Sequence, residues 1–304
     1  MAANFWKSSH RKEWIEEEET IEERKGRRVR GEEGVVDGEG EEVLHIYFAR
    51  KIEDIGKRMG LPQSVIGSGI VFFRRYYTVR SMEEKTPFVV MPTALFLAGK
   101  VDDFPRSLDK MVKTTVASLT TSFGRIDLTP EAIKEAEFDL MATLEYSLLV
   151  FHPYAPLQDY LADAGLSHEL LETAWYIVND TYRTPLPLSY PPYMLALTAV
   201  YMAAAMNDVS VADWFGSMLV DINEIHDIAA RMVRLYNLWS SPSYNEQLQR
   251  AKRAIFSLHH STASSTTSAS STTSASSSTT SAAAAATTAT TTTSSSAAQL
   301  GNDR

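Results

Sequence analysis

The sequence contains no cysteine, so disulfides, thiolate zinc sites, iron–sulfur clusters and a cysteine nucleophile are excluded together. That absence fits a reducing compartment. Cations are in the minority: 29 Lys+Arg stand against 38 Asp+Glu, a net charge of -9. Such a balance argues against coating nucleic acid through bulk charge. Long apolar runs are missing too. The best membrane candidate, Tyr193–Met206, falls short of the roughly 20 residues a spanning helix needs. Met1–Trp6 leads straight into the polar stretch Lys7–Lys12, not into the apolar core of a secretory signal. The expectation is a soluble, intracellular protein with neither membrane nor nucleic acid as a direct partner. What the chain does have is core: 304 residues, 44% of them hydrophobic, enough for one large domain or two ordinary ones.

Signatures of catalysis are lacking as well. No HExxH, GxxxxGK[ST], GxSxG or kinase signature set occurs. Gly67-Ser68-Gly69 and Gly38-Glu39-Gly40 are lone glycine pairs with no strand before them, which fails the phosphate-loop pattern. The histidines are scattered, and Asp37–Glu41 lacks the ordered spacing of a calcium loop. Asn179-Asp180-Thr181 satisfies the glycosylation sequon, but an intracellular chain does not meet that machinery. No enzyme, no cofactor and no metal are expected.

The organisation is uneven. Residues 261–298 are almost entirely Ser, Thr and Ala, a composition that cannot offset its own ordering entropy, so 259–304 reads as a disordered tail. Residues 16–42 mix acid, the basic run Lys25–Arg30 and glycine, and read as a self-neutralising helix and loop. Between them the periodicity is helical throughout. Val43, Ile46, Ile52, Ile55 and Met59 form one stripe ending near Gly60, and Pro62 opens the next helix. Further helices start near Pro87, at Leu108 and after Thr129-Pro130. After His152-Pro153 the pattern resumes through Leu157–Ala164, Leu170–Thr181, Tyr193–Met206, Val211–Leu219 and Ile222–Trp239. No period-2 strand run appears, so the class is all-α. Thr93–Gly99 and Thr198–Ala204 align residue type by residue type, each on a central helix preceded by proline. That echo predicts two similar five-helix repeats, 43–150 and 151–258, after an N-terminal extension over 1–42.

Several ordered segments carry a family resemblance. Asn4–His10 with Trp14-Ile15, Phe96–Phe104, Val150–Leu157, Trp175–Thr184 and Tyr190-Pro191-Pro192 resemble the cyclin family, and within it the cyclin C branch. The resemblance covers roughly 1–15 and 43–245 and lapses over 16–42 and in the tail. It implies two tandem five-helix cyclin boxes, a nuclear location, no catalysis, and activation of a cyclin-dependent kinase of the Mediator kinase module. It also leaves other transcriptional cyclins (H, K, T or L type) open. A general transcription factor of the TFIIB type shares the fold, but that reading expects a Cys-rich ribbon and a basic surface. A small-molecule enzyme on a helical scaffold lacks any nucleophile, base or metal set.

Site expectations follow. Lys100 shares a helix face with Phe96 and Leu97, and Glu137 falls on the Ile133–Leu140–Leu144 stripe. Taken by spacing alone, each could simply sit at a helix edge with its stem along apolar surface. The resemblance implies that both contact the kinase, together with Phe5 and Trp6. Asp102 and Asp103 end the same helix, unfavourably for the helix dipole, so a compensating partner is expected. Arginines of the kinase are one candidate; the family pattern has two longer Glu there. Trp175 and Asn179 lie on one helical face beside Asp180. With Tyr236 they could be a core tryptophan and a satisfied polar pair. The resemblance instead implies a groove for another subunit of the Mediator kinase module. Arg74, Arg75 and Arg183 sit beside tyrosines without a basic stripe, and read as solvated helix edges.

Overall fold

The computed structural model describes residues 4–15, 20, 38–166 and 168–269. The described residues through Thr262 belong to one compact unit. Among the described residues every regular element is helical, as the periodicity requires. A 3₁₀ turn at Phe5–Lys7 leads into α1 (Ser9–Glu13). The first repeat comprises α2 (Gly38–Arg58), α3 (Gln63–Val79), α4 (Pro87–Val101), α5 (Leu108–Phe123) and α6 (Pro130–Thr143). The second comprises α7 (Tyr154–Asp163), α8 (His168–Thr181), the short α9 (Leu186–Ser189), α10 (Pro192–Met206), α11 (Ala212–Gly216) and α12 (Ile222–Ser240). The chain then enters α13 (Pro242–Ala269).

Local chemistry sets these boundaries. Gly60 takes the left-handed φ of 67° that ends α2, and the Leu61 amide closes on the Gly56 carbonyl at 3.0 Å. Thr86 and Thr129 cap α4 and α6 through their hydroxyls, each followed by a first-turn proline. Pro62 is the N-cap of α3, so the helix starts one position later than predicted, at Gln63.

Helices α4 and α10 are buried on nearly every side, because Ala94, Ala98 and Gly99 in one, and Ala199, Ala203 and Ala204 in the other, let neighbours approach closely. Around α4 pack α2, α3, α5 and α6; around α10 pack α7, α8, α9 and α12. The echo seen in the sequence extends to backbone detail at one constant offset. Thr93 donates to the Val89 carbonyl at 2.7 Å and Thr198 to the Met194 carbonyl at 2.9 Å. The Phe104 amide closes on Gly99 O at 2.7 Å and the Val209 amide on Ala204 O at 2.9 Å. Asp103 and Asp208 both adopt left-handed φ, 59° and 55°. A sixteen-residue α5 answers to a five-residue α11, so the copies differ at their fourth helix.

Both ends of the chain add local detail. Helix α13 continues to Ala269, with His259 Nε2 2.8 Å from the Met82 carbonyl and its ring edge-on to Phe88. The remaining tail, 270–304, lies outside the described residues, as do 21–37 of the charged segment. Gly38–Glu42, read as loop, is the first turn of α2. Residues 242–258, expected to close the second repeat, supply Phe256, which meets Phe88 and Phe123 of the first. Lys252 lies over the Tyr47 and Phe123 rings, each 4.9 Å from its nitrogen.

Candidate functional site

Lys100 and Glu137, singled out separately, form one ion pair: Lys100 Nζ donates to Glu137 Oε1 at 2.8 Å. The packing of α4 on α6 brings them together. Glu137 is only 9% exposed, whereas Lys100 is 47% exposed and lies 5.5 Å above the Phe96 ring. A buried carboxylate with a half-exposed cation is poised for an outside partner, since water reaches the pair from one side only. Phe138, next to Glu137 in sequence, is 71% exposed, and Tyr146, on the turn after α6, is 70% exposed. Glu145 and Tyr146 both take left-handed φ, an unfavourable backbone for two successive non-glycine residues. Amide bonds to Ala142 O and Met141 O, both 3.0 Å, hold that turn. Sequence reasoning missed both aromatics; the available signal was their position off the Ile133–Leu140–Leu144 stripe.

Asp102 and Asp103 diverge, as adjacent helical residues must. Asp103 is exposed. Asp102 turns inward and accepts from Ser68 Oγ at 2.9 Å, which supplies the compensation expected at a helix C-terminus. Burial raises its pKa, with the Ser68 bond opposing and Asp103 reinforcing the shift. The polar chain continues: Ser68 Oγ lies 3.0 Å from His152 Nε2, and His152 Nδ1 lies 2.6 Å from the Tyr182 hydroxyl. Its polarity is fixed at the acid end. An ionised Asp102 can only accept, so Ser68 donates to it and receives the Nε2 proton; Nδ1 then accepts from Tyr182. Burial, aided by Arg75, lowers the His152 pKa to about 4, so this ring is neutral.

Phe5 and Trp6 are held where the repeats meet. Asn4 caps their turn, accepting from the Trp6 amide at 3.0 Å, and Ser8 caps α1 through the Arg11 amide at 3.3 Å. His10 Nδ1 accepts from the Phe151 amide at 3.0 Å, and Ser147 donates to Ser9 at 2.6 Å. Phe5 packs edge-on against Phe151, 5.5 Å between centroids. Trp6 stays 60% exposed against Tyr193 and walls an apolar groove of about 550 Å³ that Leu149 and Pro156 share.

The four residues of the second patch are also brought together. Trp175 packs on Tyr154 at 4.5 Å, and the Tyr154 hydroxyl donates to Asn179 Oδ1 at 2.9 Å. Tyr236 donates to Asp180 Oδ2 at 3.2 Å. Arg183 ties the patch to the first repeat, pairing with Asp180 and, at 2.6 Å, with Glu53 of α2 while stacking over Trp239. Burial raises the Asp180 pKa against the pull of Arg183. Trp175, Asn179 and Asp180 are all half-buried, so each keeps accessible surface.

The arginines read as solvated edges are not. Arg74 is buried, pairs with Glu42 at 3.2 Å, and donates to the carbonyls of Tyr182 (3.3 Å) and Arg183. Arg75 is fully buried, 4.9 Å from the Trp14 ring centroid and 3.5 Å from the Ser147 carbonyl. Arg183 is 17% exposed. All three clamp repeats, extension and linker together. Among the described residues no group of three or more His, Asp or Glu could hold a metal ion, and no helix is long and apolar enough to cross a membrane.

Two copies of one helical unit, with charged pairs and aromatics turned outward from a rigid frame, define a protein-binding scaffold of the cyclin fold. Solved structures share it. A chain of the CAK complex from Chaetomium thermophilum superposes with a TM-score of 0.63 at 17% identity, covering 83% of this chain and 87% of that one. A chain of the yeast TFIIK complex (Kin28/Ccl1/Tfb3) gives 0.57 at 20% identity, covering 75% and 100%. Residues 45–149 match the family model for the cyclin N-terminal domain. Rat Cyclin-C (Rattus norvegicus) is 35% identical over 79% of this chain and 86% of its own length. Cyclin-C1-1 of rice (Oryza sativa subsp. japonica) is 34% identical over 79% and 91%, and Drosophila melanogaster Cyclin-C 31% identical over 82% and 94%. The chain belongs to the cyclin C family.

Proposed function

We propose that this chain is the regulatory, non-catalytic subunit of a cyclin-dependent kinase of the Mediator kinase module, acting in the nucleus on RNA polymerase II transcription. The observation that carries the reading is the Lys100–Glu137 pair, half open to water, with Phe138 exposed next to Glu137 in sequence and Tyr146 exposed on the turn after α6. A kinase is active only when its Lys–Glu pair and metal-binding Asp are aligned, and the helix bearing the Glu is the part a partner repositions. A rigid face with one fixed pair and two aromatic anchors suits that task. Asp103 reaches an arginine of the kinase from its exposed left-handed turn, while Asp102 holds that turn through Ser68. Phe5 and Trp6 make a further kinase contact from the junction of the repeats.

Trp175, Asn179, Asp180 and Tyr236 form the groove for a second subunit of the same module. The test is co-expression with the Mediator-type kinase followed by size-exclusion chromatography. A 1:1 complex from wild type, lost in Lys100→Ala/Glu137→Ala, supports the reading. Equal complex formation by both chains would place the kinase elsewhere.

A further inference from the structure

The difference between the two repeats opens a site. In the first, α5 runs for sixteen residues and buries Met111, Leu119 and Phe123. In the second, α11 stops after five, none of them buried. A hollow of about 620 Å³ lies there, walled by Tyr201, Phe215, Met218, Val220, Ile222 and His226, with Ala205 at its edge. At the offset relating the repeats, Tyr201 stands for Phe96 and Ala205 for Lys100. The hollow is therefore the second repeat's counterpart of the face that carries the Lys100–Glu137 pair, with the aromatic kept and the cation removed. Its short roof is pinned: Trp214 Nε1 donates to Asp163 at 2.9 Å and the indole meets Tyr160.

Apolar surface continues outside the hollow. Met206 is exposed and Leu219 fully so, beyond the exposed wall residues Val209 and Ile222, which is more than a small molecule inside the cavity would cover. The charge around it has one sign. No Lys or Arg occurs between Arg183 and Arg231, whereas Asp208, Asp213, Asp221 and Asp227 are exposed, each adjacent in sequence to a residue lining the hollow. Among the described residues there is no sheet edge to extend, so an occupant must satisfy its own backbone, as a helix does. A second copy of this acidic chain is disfavoured by charge.

We propose that this hollow is a docking site for a basic amphipathic helix of a partner protein. Large apolar side chains at i, i+3/i+4 and i+7 enter the hollow and cover Leu219, and flanking Lys or Arg face the four aspartates. The missing cation at Ala205 makes the second repeat selective for a positively charged partner, opposite in sense to the face around Lys100.

The test uses the full chain and fluorescence anisotropy with a labelled helical peptide of about 18 residues, Leu on one stripe and Lys elsewhere. Two comparators have Glu in place of Lys, or the same Leu and Lys composition in permuted order. Two variants, Ala205→Lys and Leu219→Ser, change exposed residues and leave the core untouched. The expected result is saturable binding of the Lys helix, at least tenfold weaker for both variants and both comparators, with unchanged thermal melting. Equal binding of the permuted peptide, full affinity in both variants, or no binding at 100 µM peptide would overturn the proposal. Occupation of the hollow by an apolar dye that the Lys helix fails to displace would also overturn it, in favour of a small-molecule site.

Discussion

Deleting Lys100 should cost little in the isolated chain and much in the kinase complex. The reason is solvent. Glu137 is 9% exposed but its partner is 47% exposed, so water screens one side of the 2.8 Å pair. Pairs open to water contribute about 0.2–1 kcal/mol. For a domain of this size 1 kcal/mol moves the melting temperature by about 2–4 °C. A docked kinase excludes that water, and removing one member of a desolvated pair then costs about 3–5 kcal/mol, on the order of 10²- to 10³-fold or more in Kd. A double-mutant cycle measures this directly: Lys100→Ala, Glu137→Ala and both, by thermal melting of the free chain and by calorimetric titration with the kinase. The coupling energy should exceed its free-chain value by about 2 kcal/mol or more, with the double mutant little worse than either single one. Equal coupling in both states, or a Kd unmoved by either substitution, would refute the reasoning.

Other outcomes follow from the same geometry. Gly67→Ala places a Cβ 3.0 Å from Tyr182 Cζ and 3.2 Å from His152 Cε1, so overpacking should lower stability by about 1–3 kcal/mol in urea denaturation. His10 and His152 are held neutral by burial, with pKa values lowered to about 3 and about 4. Their unfolded forms bind protons first as pH falls below 6.5, so stability present above that pH is lost on the way down to the folded values. Between pH 7 and pH 5 the loss should be on the order of 1–2 kcal/mol for each, and His152→Gln should flatten the pH dependence of the melting temperature. Trp175→Ala and Asp180→Ala should abolish binding of the second module subunit while both variants still melt cooperatively, at a lower temperature, and keep their kinase affinity; unchanged subunit binding would remove the groove from the functional surface.

Much of this architecture is legible in the sequence. The 3.6-residue periodicity and the Gly60, Pro87 and Thr129-Pro130 signals located helix ends because those ends are governed by local chemistry. The Thr93–Gly99 echo located the duplication because both copies need small residues at the centre of a helix packed on all sides. Lys100 and Glu137 could each be noticed, but their union depends on how α4 packs on α6, which spacing within a helix does not encode. Arg74 and Arg75 were misread for the same reason: their partners are carbonyls and a ring from segments far along the chain. The inward turn of Asp102 and the chain through Ser68, His152 and Tyr182 join four segments and leave no local pattern. Helix α13 was hidden by composition, since the docking contacts of Lys252 and Phe256 precede the Ser/Thr run that made this end look unstructured.

The most direct measurement is kinase activity. The Mediator-type cyclin-dependent kinase would be assayed on a carboxy-terminal-repeat peptide, alone, with the wild-type chain, and with Lys100→Ala/Glu137→Ala. A cyclin acting through that pair raises activity by orders of magnitude as wild type and fails to do so as the double mutant, while the double mutant still melts cooperatively. Activity that stays at the level of the kinase alone with saturating wild-type chain would contradict the reading that this cyclin C family member is an activating subunit.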